Sequence, residues 1–241
     1  MFDKLLTIYG RKPVIEALED ESLKIFKLHL STSNKETREI KKILTLAKKR
    51  DIEIKYHSKR ELSFISKNSK QDQGVALDIV MDSFYSPKEF ESKFQSFRLL
   101  AIDGVTNPQN LGLIIRSAAA GNIDGVILSA KKTAPLVSAL TIKASAGTIF
   151  KIPIIKSASL LKSLEFFKSK GATIYTLSSH SQKNYKEINY PKRAIFILGN
   201  ESEGVSKEVE KLSDLSIKIP MNRGVESLNV AMSATLISFL D

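Results

Sequence analysis

From Leu99 onward the chain alternates short apolar runs with segments of helical periodicity, and this alternation limits the folds open to it. The apolar runs read LLAID, GVIL, KIPII, ATIYTL, AIFIL and LSIKIP. Between and after them, helices are predicted from about Asn110, around Pro135–Ser145, over about Ser159–Ser169, after Ser206 and from about Ser227. Strands that alternate with helices form a mostly parallel sheet with helices on both faces. The pattern therefore predicts an α/β domain.

The first 80 residues repeat this alternation on a smaller scale. The runs KIFKLHL, IEIKY and GVALDIV predict strands, and Ile40, Ile43 and Ala47 recur at helical spacing. Ser58 with Glu61 forms a capping box that predicts the start of another helix. The stretch MDSFYSPKEFESKFQSF, with its serines, proline and mixed charges, is interpreted as a linker. We therefore expect an α/β module over 1–80, a linker over 81–97 and a larger α/β domain over 98–241.

The chain is basic throughout. Its formal net charge is +11, with 17 basic and 12 acidic side chains in 1–80 and 18 and 11 in 97–241. An excess of cations in both parts suits a polyanion that contacts both of them better than it suits a single basic tail. A merely soluble basic protein is the alternative reading.

Several classes of protein are disfavoured by composition. The chain has no cysteine, which excludes disulfides and thiolate chemistry, and its three histidines show no metal-ligand spacing, so no metal site is expected. The start MFDKLLTIYG lacks the apolar core of a signal peptide, and no apolar run approaches the roughly 20 residues of a membrane helix. These features predict a cytoplasmic protein without a membrane segment.

Three polar blocks follow predicted strands of the larger domain. They read DGVTNPQNLGLIIRSAAAGN, IFILGNESEGVS and IPMNRGVESLNVAMSA. In parallel sheets, ligands bind beyond the carboxyl ends of the strands, which is where these blocks lie. No two glycines are separated by a single residue, which argues against a dinucleotide-binding fingerprint. Gly199 and Gly204 have the spacing of a phosphate-binding loop, but Val205 stands where its lysine would be required.

The polar residues of the first two blocks each have a structural and a functional interpretation. Asn110 could cap the helix that follows or orient a ribose hydroxyl, and Arg116 could pair on the surface or bind a phosphate. Because Arg116 is the only charge in an apolar helix, we expect it to face a site. Glu201 could accept hydrogen bonds from a ligand or pair with Arg116, whereas Glu203 is expected to be solvated. Ser206 could cap the next helix.

In the third block, Ser227 and Asn229 open the last predicted helix. Capping is the simplest role of both side chains. A strand that leads into a glycine turn and then into a helix is also a place to hold a ligand.

Taken together and in this order, the three blocks resemble the signature motifs of the SpoU-type (TrmH-like) RNA ribose 2'-O-methyltransferases of the SPOUT superfamily, with the RlmB-like branch that methylates guanosine of ribosomal RNA as the nearest match. The resemblance implies a C-terminal domain with a trefoil knot, S-adenosylmethionine as cofactor and a homodimer formed through that domain. It implies methyl transfer to a ribose 2'-hydroxyl, with a guanosine of 23S ribosomal RNA as the expected target.

The resemblance also assigns roles to residues. It implies catalytic roles for Asn110, Arg116, Glu201, Ser227 and Asn229. It implies cofactor contacts for Leu198, Gly199, Asn200, Ile219, Met221, Ser227, Leu228 and Asn229. Arg116 matches an arginine proposed to activate the hydroxyl. A guanidinium stays protonated in proteins, so we expect Arg116 to hold a phosphate and stabilise the developing alkoxide.

The first 80 residues resemble the small ribosomal-protein-like α/β domain that binds substrate in SpoU-type enzymes acting on ribosomal RNA. The matching pieces are YGRKPVIEAL and QGVAL. Between them, Ser31–Arg60 holds ten basic and four acidic residues, which could form a phosphate-contacting face or a solvated helix. The chain departs from its relatives at Asp72 and Ala120, in regions that are expected to shape recognition of the RNA target. Transfer RNA as substrate and a non-catalytic RNA-binding ribosome-assembly factor are the alternatives.

Overall fold

A computed structural model describes residues 5–129, 133–134, 136, 138–200 and 203–241. The chain divides into two compact units, the first formed mainly by residues up to Asp82 and the second mainly by residues from Ser83 onward. Within the described ranges, no helix is both long and apolar enough to cross a membrane.

The first unit is a four-stranded sheet with three helices. Its strands are β1 (Leu5–Tyr9), β2 (Lys24–Ser31), β3 (Ile54–His57) and β4 (Val75–Val80). Its helices are α1 (Arg11–Glu19), α2 (Arg38–Lys49) and α3 (Lys59–Ser66). The strand order is β1-β4-β2-β3, with β4 antiparallel to both neighbours and β2 parallel to β3. Strands β1, β2 and β3 therefore end at the same edge, where β4 begins.

Local sequence explains why these elements form. The predicted capping box is confirmed, because Ser58 Oγ accepts from the Glu61 backbone and the Glu61 carboxylate accepts from the Ser58 backbone. Thr37 caps α2 in the same position. One face of the sheet is apolar, and its side chains, such as those of Leu28 and Leu77, are fully buried.

The second unit is a seven-stranded sheet with helices between its strands. Its strands are β5 (Phe84–Tyr85), β6 (Phe97–Ile102), β7 (Gly125–Ser129), β8 (Ile154–Ser157), β9 (Thr173–Leu177), β10 (Arg193–Leu198) and β11 (Leu215–Ile217). Its helices are α4 (Pro87–Lys93), α5 (Pro108–Ala120), α6 (Ala139–Ala144), α7 (Leu160–Ser169), α8 (Lys207–Leu212) and α9 (Val230–Ser238). The order is β11-β9-β10-β6-β7-β8-β5, and every pairing is parallel. The prediction of a mostly parallel α/β sheet is confirmed.

The segment interpreted as a linker is folded, so that interpretation is wrong. It contains β5 and α4, and Ser86 forms a capping box with Glu89 ahead of Pro87. Phe90 is fully buried, with its ring centroid 5.7 Å from that of Phe97 and 6.4 Å from that of Phe167. Ser-Pro here starts a helix, and the phenylalanines supply core rather than linker.

Two predicted helix boundaries also shift. The last helix begins at Val230, three residues later than expected, and α6 begins at Ala139, while Pro135 lies outside the described residues.

Helix α9 lies against α5: the Asn122 backbone donates to the Ser238 carbonyl at 2.6 Å. A Cβ added to Gly121 would lie 2.2 Å from that carbonyl oxygen, so only glycine allows this approach.

Candidate functional site

A cavity of about 770 Å³ lies at the carboxyl ends of β9, β10 and β11. Its volume falls within the range of small-molecule sites, roughly 300 to 1,000 Å³. The lining residues are 176–180, 198–200, 203–205, Glu210, Ile219, Met221, 226–228, Val230 and Ser233. The cavity thus occupies the position at which a parallel sheet binds its ligand.

The second block forms a tight turn at this cavity. Asn200 and Gly204 exchange two backbone hydrogen bonds, each 2.9 Å long. A Cβ on Gly199 would lie 2.2 Å from the Gly204 carbonyl carbon, so the turn requires glycine at this position. Glu201, predicted to be catalytic, lies outside the described residues. Leu198, Gly199 and Asn200 line the cavity, as does Glu203, which is exposed.

Hydrogen bonds join the first block to this turn. Asn200 Nδ2 donates to the Gly104 carbonyl at 2.9 Å, and the Ser206 backbone donates to Asp103 Oδ2 at 2.8 Å. Ser206 precedes α8 but makes no side-chain capping bond. The loops that follow the neighbouring strands β6 and β10 are therefore held together.

Asn107, not Asn110, caps α5. Its Oδ1 accepts from the backbones of Gln109 at 2.8 Å and Asn110 at 3.4 Å. Asn110 lies in the first turn of the helix, and its Oδ1 accepts from Asn229 Nδ2 at 3.4 Å. The capping interpretation of Asn110 is therefore wrong, because the asparagine three residues earlier takes that position ahead of Pro108.

Asn229 caps α9 and Ser227 does not. Asn229 Oδ1 accepts from the Ala231 backbone at 2.8 Å, so this capping interpretation is confirmed. Ser227 is exposed and lines the cavity, and its hydroxyl has no hydrogen-bond partner among the residues described. Ile219, Met221 and Leu228 also line the cavity, whereas Asn229 does not.

Arg116 is exposed on α5 and is not among the residues that line the cavity. Within the described part of the chain its guanidinium has no hydrogen-bond or ion-pair partner. The structure thus brings Asn110 and Asn229 together and groups the predicted cofactor residues around one cavity, with Asn229 at its margin as a helix cap. It leaves Arg116 on the surface of the same helix as Asn110.

Residues 176–180 form a wall of the cavity that sequence reasoning missed. They belong to the end of β9 and the loop after it, and the signal was available, because polar Ser178 and His180 follow the predicted strand ATIYTL. Thr176 is 1% exposed, and its hydroxyl has no hydrogen-bond partner in the described residues. A buried hydroxyl without an internal partner, at the wall of a cavity, suits a polar ligand.

Two tyrosines beside these strands do not supply a base. Tyr175 and Tyr190 pack against Phe196 of β10, with ring centroids 5.5 and 5.0 Å from it. Burial raises the pKa of Tyr190 to about 12 and also raises that of Tyr175. Tyr190 Oη donates to the Tyr185 carbonyl at 2.6 Å. Both phenols therefore stay protonated near neutral pH.

Among the described residues, no cluster of histidine and carboxylate side chains could hold a metal ion.

Comparison with known proteins adds to this geometry. Residues 98–239 match the SpoU rRNA methylase family, and residues 7–85 match the family of RNA 2'-O ribose methyltransferase substrate-binding domains. A Staphylococcus saprophyticus protein assigned to the TrmH family of tRNA/rRNA methyltransferases is 30% identical over 240 residues, which cover 97% of this chain and 94% of that protein.

Solved structures share the fold. The SpoU methyltransferase AviRb from Streptomyces viridochromogenes, in complex with the cofactor AdoMet, has a TM-score of 0.68 at 20% identity, covering 98% of this chain and 88% of AviRb. An AdoMet-bound rRNA methyltransferase from Sinorhizobium meliloti has a TM-score of 0.66 at 23% identity, covering 97% and 85%. The match over 98–239 spans more than half of the chain, and with a relative aligned along nearly its whole length it shows that the protein belongs to the SpoU rRNA methylase family.

Proposed function

We propose that this protein transfers a methyl group from S-adenosylmethionine to a ribose 2'-hydroxyl of RNA. The observation that carries the proposal is that the second and third blocks of the family match meet at one cavity of about 770 Å³, at the end of the sheet where ligands bind. The family and the separate match to an RNA substrate-binding domain support RNA as the substrate.

The cavity fits such a cofactor. It offers an apolar wall at Leu198, Ile219 and Leu228, a glycine turn that brings backbone close, and the unpartnered hydroxyl of Thr176. We propose that the cofactor contacts are Leu198, Gly199, Asn200, Ile219, Met221, Ser227 and Leu228, with Asn229 holding the end of α9 in place. S-adenosylmethionine held by these residues would supply an electrophilic methyl group for a ribose oxygen.

Positioning is the main task of the remaining site residues, because an alcohol must be aligned with the methyl carbon while it loses its proton. Arg116 is exposed and unpaired in the described structure, so its guanidinium is available to hold an RNA phosphate and stabilise the developing alkoxide. The hydroxyl proton leaves through phosphate or water. We assign the orientation of groups around the reacting hydroxyl to Asn110, Ser227 and Asn229. Glu201 completes the proposed catalytic set.

We further propose that residues 1–80 bind the RNA and residues 98–241 form a knotted catalytic domain that pairs into a homodimer. An exposed apolar stripe supports the homodimer: Met232 and Leu236 of α9, and Phe239 just after it, are 60%, 38% and 57% exposed. Leu113 of α5, the helix that carries Arg116, is also exposed. Such a stripe is typical of an interface between chains. The RNA substrate would place the enzyme in the cytoplasm.

The preferred substrate is a guanosine of 23S ribosomal RNA, with transfer RNA as the alternative. The test is to incubate the protein with labelled cofactor and, separately, unmodified ribosomal RNA and unmodified transfer RNA. Label in ribosomal RNA alone supports the preferred substrate, and label in transfer RNA alone overturns it. Calorimetry addresses the non-catalytic alternative, since failure to bind S-adenosylmethionine would favour an RNA-binding assembly factor.

A further inference from the structure

Most cations of helix α2 are already paired. Its sequence, rich in lysine, is the obvious candidate for an RNA-binding face. However, the amines of Lys41, Lys42 and Lys49 lie 3.3, 2.5 and 3.6 Å from the carboxylates of Glu36, Glu19 and Glu21. Arg50, just after the helix, donates to main-chain carbonyls of residues 17, 18 and 20. These groups are engaged within the unit.

The unpaired cations of the first unit collect elsewhere. Seven exposed side chains have neither an ion pair nor a side-chain hydrogen bond within the described part of this unit: Lys12, Lys35, Arg38, Lys59, Arg60, Lys67 and Lys70. Outside this group, Lys48 is the remaining described lysine or arginine of the unit without such a partner. We refer to the seven as the cationic end.

Topology explains why these seven residues come together. They follow β1, β2 and β3 or precede β4, and all four strand ends meet at one edge of the sheet. The loop before β4 is held there, because Asn68 Nδ2 donates to Tyr9 Oη at 3.0 Å and the Gly10 backbone donates to the Val75 carbonyl at 3.1 Å. The seven residues are spread over about 60 positions of the sequence and lie at one end of the sheet only in the folded unit.

The carboxylates at the cationic end are engaged by neighbours. Glu36 pairs with Lys41 at 3.3 Å, and Glu39 pairs with Arg11 at 3.1 Å. The Glu61 carboxylate accepts from the Ser58 backbone at 2.8 Å. Asp72 is 4% exposed and accepts from the Ser66 hydroxyl. At the opposite end of the sheet, acidic side chains dominate the turns at 19–21 and 51–53. The unit is therefore electrostatically polarised along its strands.

An exposed aromatic side chain stands among these cations. Phe64 of α3 is 69% exposed, and it lies four residues after Arg60 and three before Lys67, on the same face of the helical segment. Aromatic rings flanked by cations stack unpaired RNA bases while the cations contact phosphates. Tyr56 of β3 is similarly exposed at 61%. The lysine next to it, Lys55, is already paired, because its amine lies 3.9 Å from the Glu53 carboxylate.

We propose that the cationic end binds the phosphates of RNA and that Phe64 stacks on an unpaired base, so that this unit selects RNA with a single-stranded loop. The proposal rests on the proposed function for the identity of the polyanion. It assigns binding to the edge where the strands end, and not to the lysine-rich helix α2.

The test compares two variants of the full chain with equal loss of charge. One carries Lys59→Gln, Arg60→Gln, Lys67→Gln and Lys70→Gln. The matched control carries Lys41→Gln, Lys42→Gln, Lys48→Gln and Lys49→Gln. Affinity for a labelled hairpin RNA is measured by fluorescence anisotropy over a series of salt concentrations, and circular dichroism checks that each variant is folded.

The first variant should bind at least about tenfold more weakly. Its slope of log affinity against log salt should fall by about 3, since each single-strand phosphate contact contributes about 0.7. The control should stay within about twofold of the wild type. Equal weakening of both variants, or unchanged binding by the first, would overturn the proposal. If the first variant unfolds, Lys12→Gln with Lys35→Gln tests the same end.

A second pair of variants tests the stacking. Phe64→Ala should weaken hairpin binding roughly tenfold and leave binding of a fully paired RNA unchanged, whereas Tyr56→Ala should change neither. Equal effects of the two substitutions, or equal affinity of the wild type for hairpin and duplex RNA, would contradict the proposed stacking of Phe64 on a base.

Methyl transfer by the wild-type protein is measured with the same RNA preparations. If the wild-type protein transfers methyl groups but the first variant binds RNA as well as the wild type does, this inference is contradicted and the proposed function stands. If RNA binds at the cationic end but no RNA is methylated, the proposed function is contradicted and this inference stands.

Discussion

Replacement of Gly199 by alanine tests whether the turn after β10 shapes the proposed cofactor cavity. The added Cβ would lie 2.2 Å from the Gly204 carbonyl carbon and 2.3 Å from the Val205 nitrogen, so the two arms must separate by about 1 Å before ordinary contact begins at 3.4 Å. That separation breaks the two hydrogen bonds between Asn200 and Gly204.

The size of the effect follows from those two bonds. At about 0.5 to 1.5 kcal/mol each, their loss amounts to roughly 1 to 3 kcal/mol. If the open turn must close again to bind S-adenosylmethionine, the dissociation constant rises by roughly 5- to 150-fold, since 1.4 kcal/mol corresponds to a factor of ten. Isothermal titration calorimetry measures the affinity, and urea unfolding measures the stability.

Gly171→Ala is the matched control. Gly171 has a φ of +81° and nothing within 4 Å of an added Cβ, and it lies outside the cavity. Its substitution should cost about 1 to 2 kcal/mol of stability through the left-handed backbone alone and leave cofactor affinity unchanged. Wild-type cofactor affinity in Gly199→Ala, or an equal loss of affinity in both variants, would show that the turn does not shape the binding cavity.

Arg116→Ala should abolish turnover and leave cofactor affinity within about twofold, because Arg116 does not line the cavity; retained turnover measured with labelled cofactor contradicts this. Gly121→Ala should lower the free energy of unfolding by about 1 to 3 kcal/mol, because its Cβ would lie 2.2 Å from the Ser238 oxygen; an unchanged urea midpoint contradicts it. His57→Gln should make stability less sensitive to acid between pH 7 and pH 5, as judged by urea midpoints.

The sign of the His57 prediction comes from its surroundings. Burial lowers the pKa of His57 below its usual 6.5, and His29, whose Nδ1 is 2.9 Å from His57 Nε2, and the nearby Lys55 and Lys27 lower it further, while Glu61 opposes them. The folded state then binds fewer protons than the unfolded state near pH 6. The contribution of His57 to the free energy of unfolding is present above about pH 6.5 and is lost as the pH falls through the pKa that His57 has in the folded state. Equal acid sensitivity of wild type and variant contradicts it.

The sequence predicted the features that depend on hydrophobic periodicity and two of the helix caps, those at Ser58 and Asn229. The alternation from Leu99 onward predicted the parallel sheet, because buried parallel strands are continuous apolar runs and need helices between them. Ser58 and Glu61 predicted the start of α3. Strand ends predicted the cavity, since the carboxyl ends of parallel strands meet at one edge.

Features that depend on tertiary partners escaped the sequence. Phe90 reads as part of a polar linker until Phe97 and Phe167 are seen to enclose it. The cap of α5 is instead a local feature that the sequence contained and that was missed, because proline favours the first position of a helix and so marks Asn107, not Asn110, as the cap. The unpaired state of the cations at the end of the first sheet depends on which carboxylates each can reach, and no spacing along the chain contains that.

The proposed function requires that the methyl group go to ribose and not to a base. The most direct test transfers labelled methyl to unmodified RNA, hydrolyses the RNA with alkali and separates the products by size. Because a 2'-O-methyl group blocks alkaline cleavage at that nucleotide, we predict label in alkali-resistant dinucleotides. Label recovered in mononucleotides carrying a methylated base would contradict the assignment.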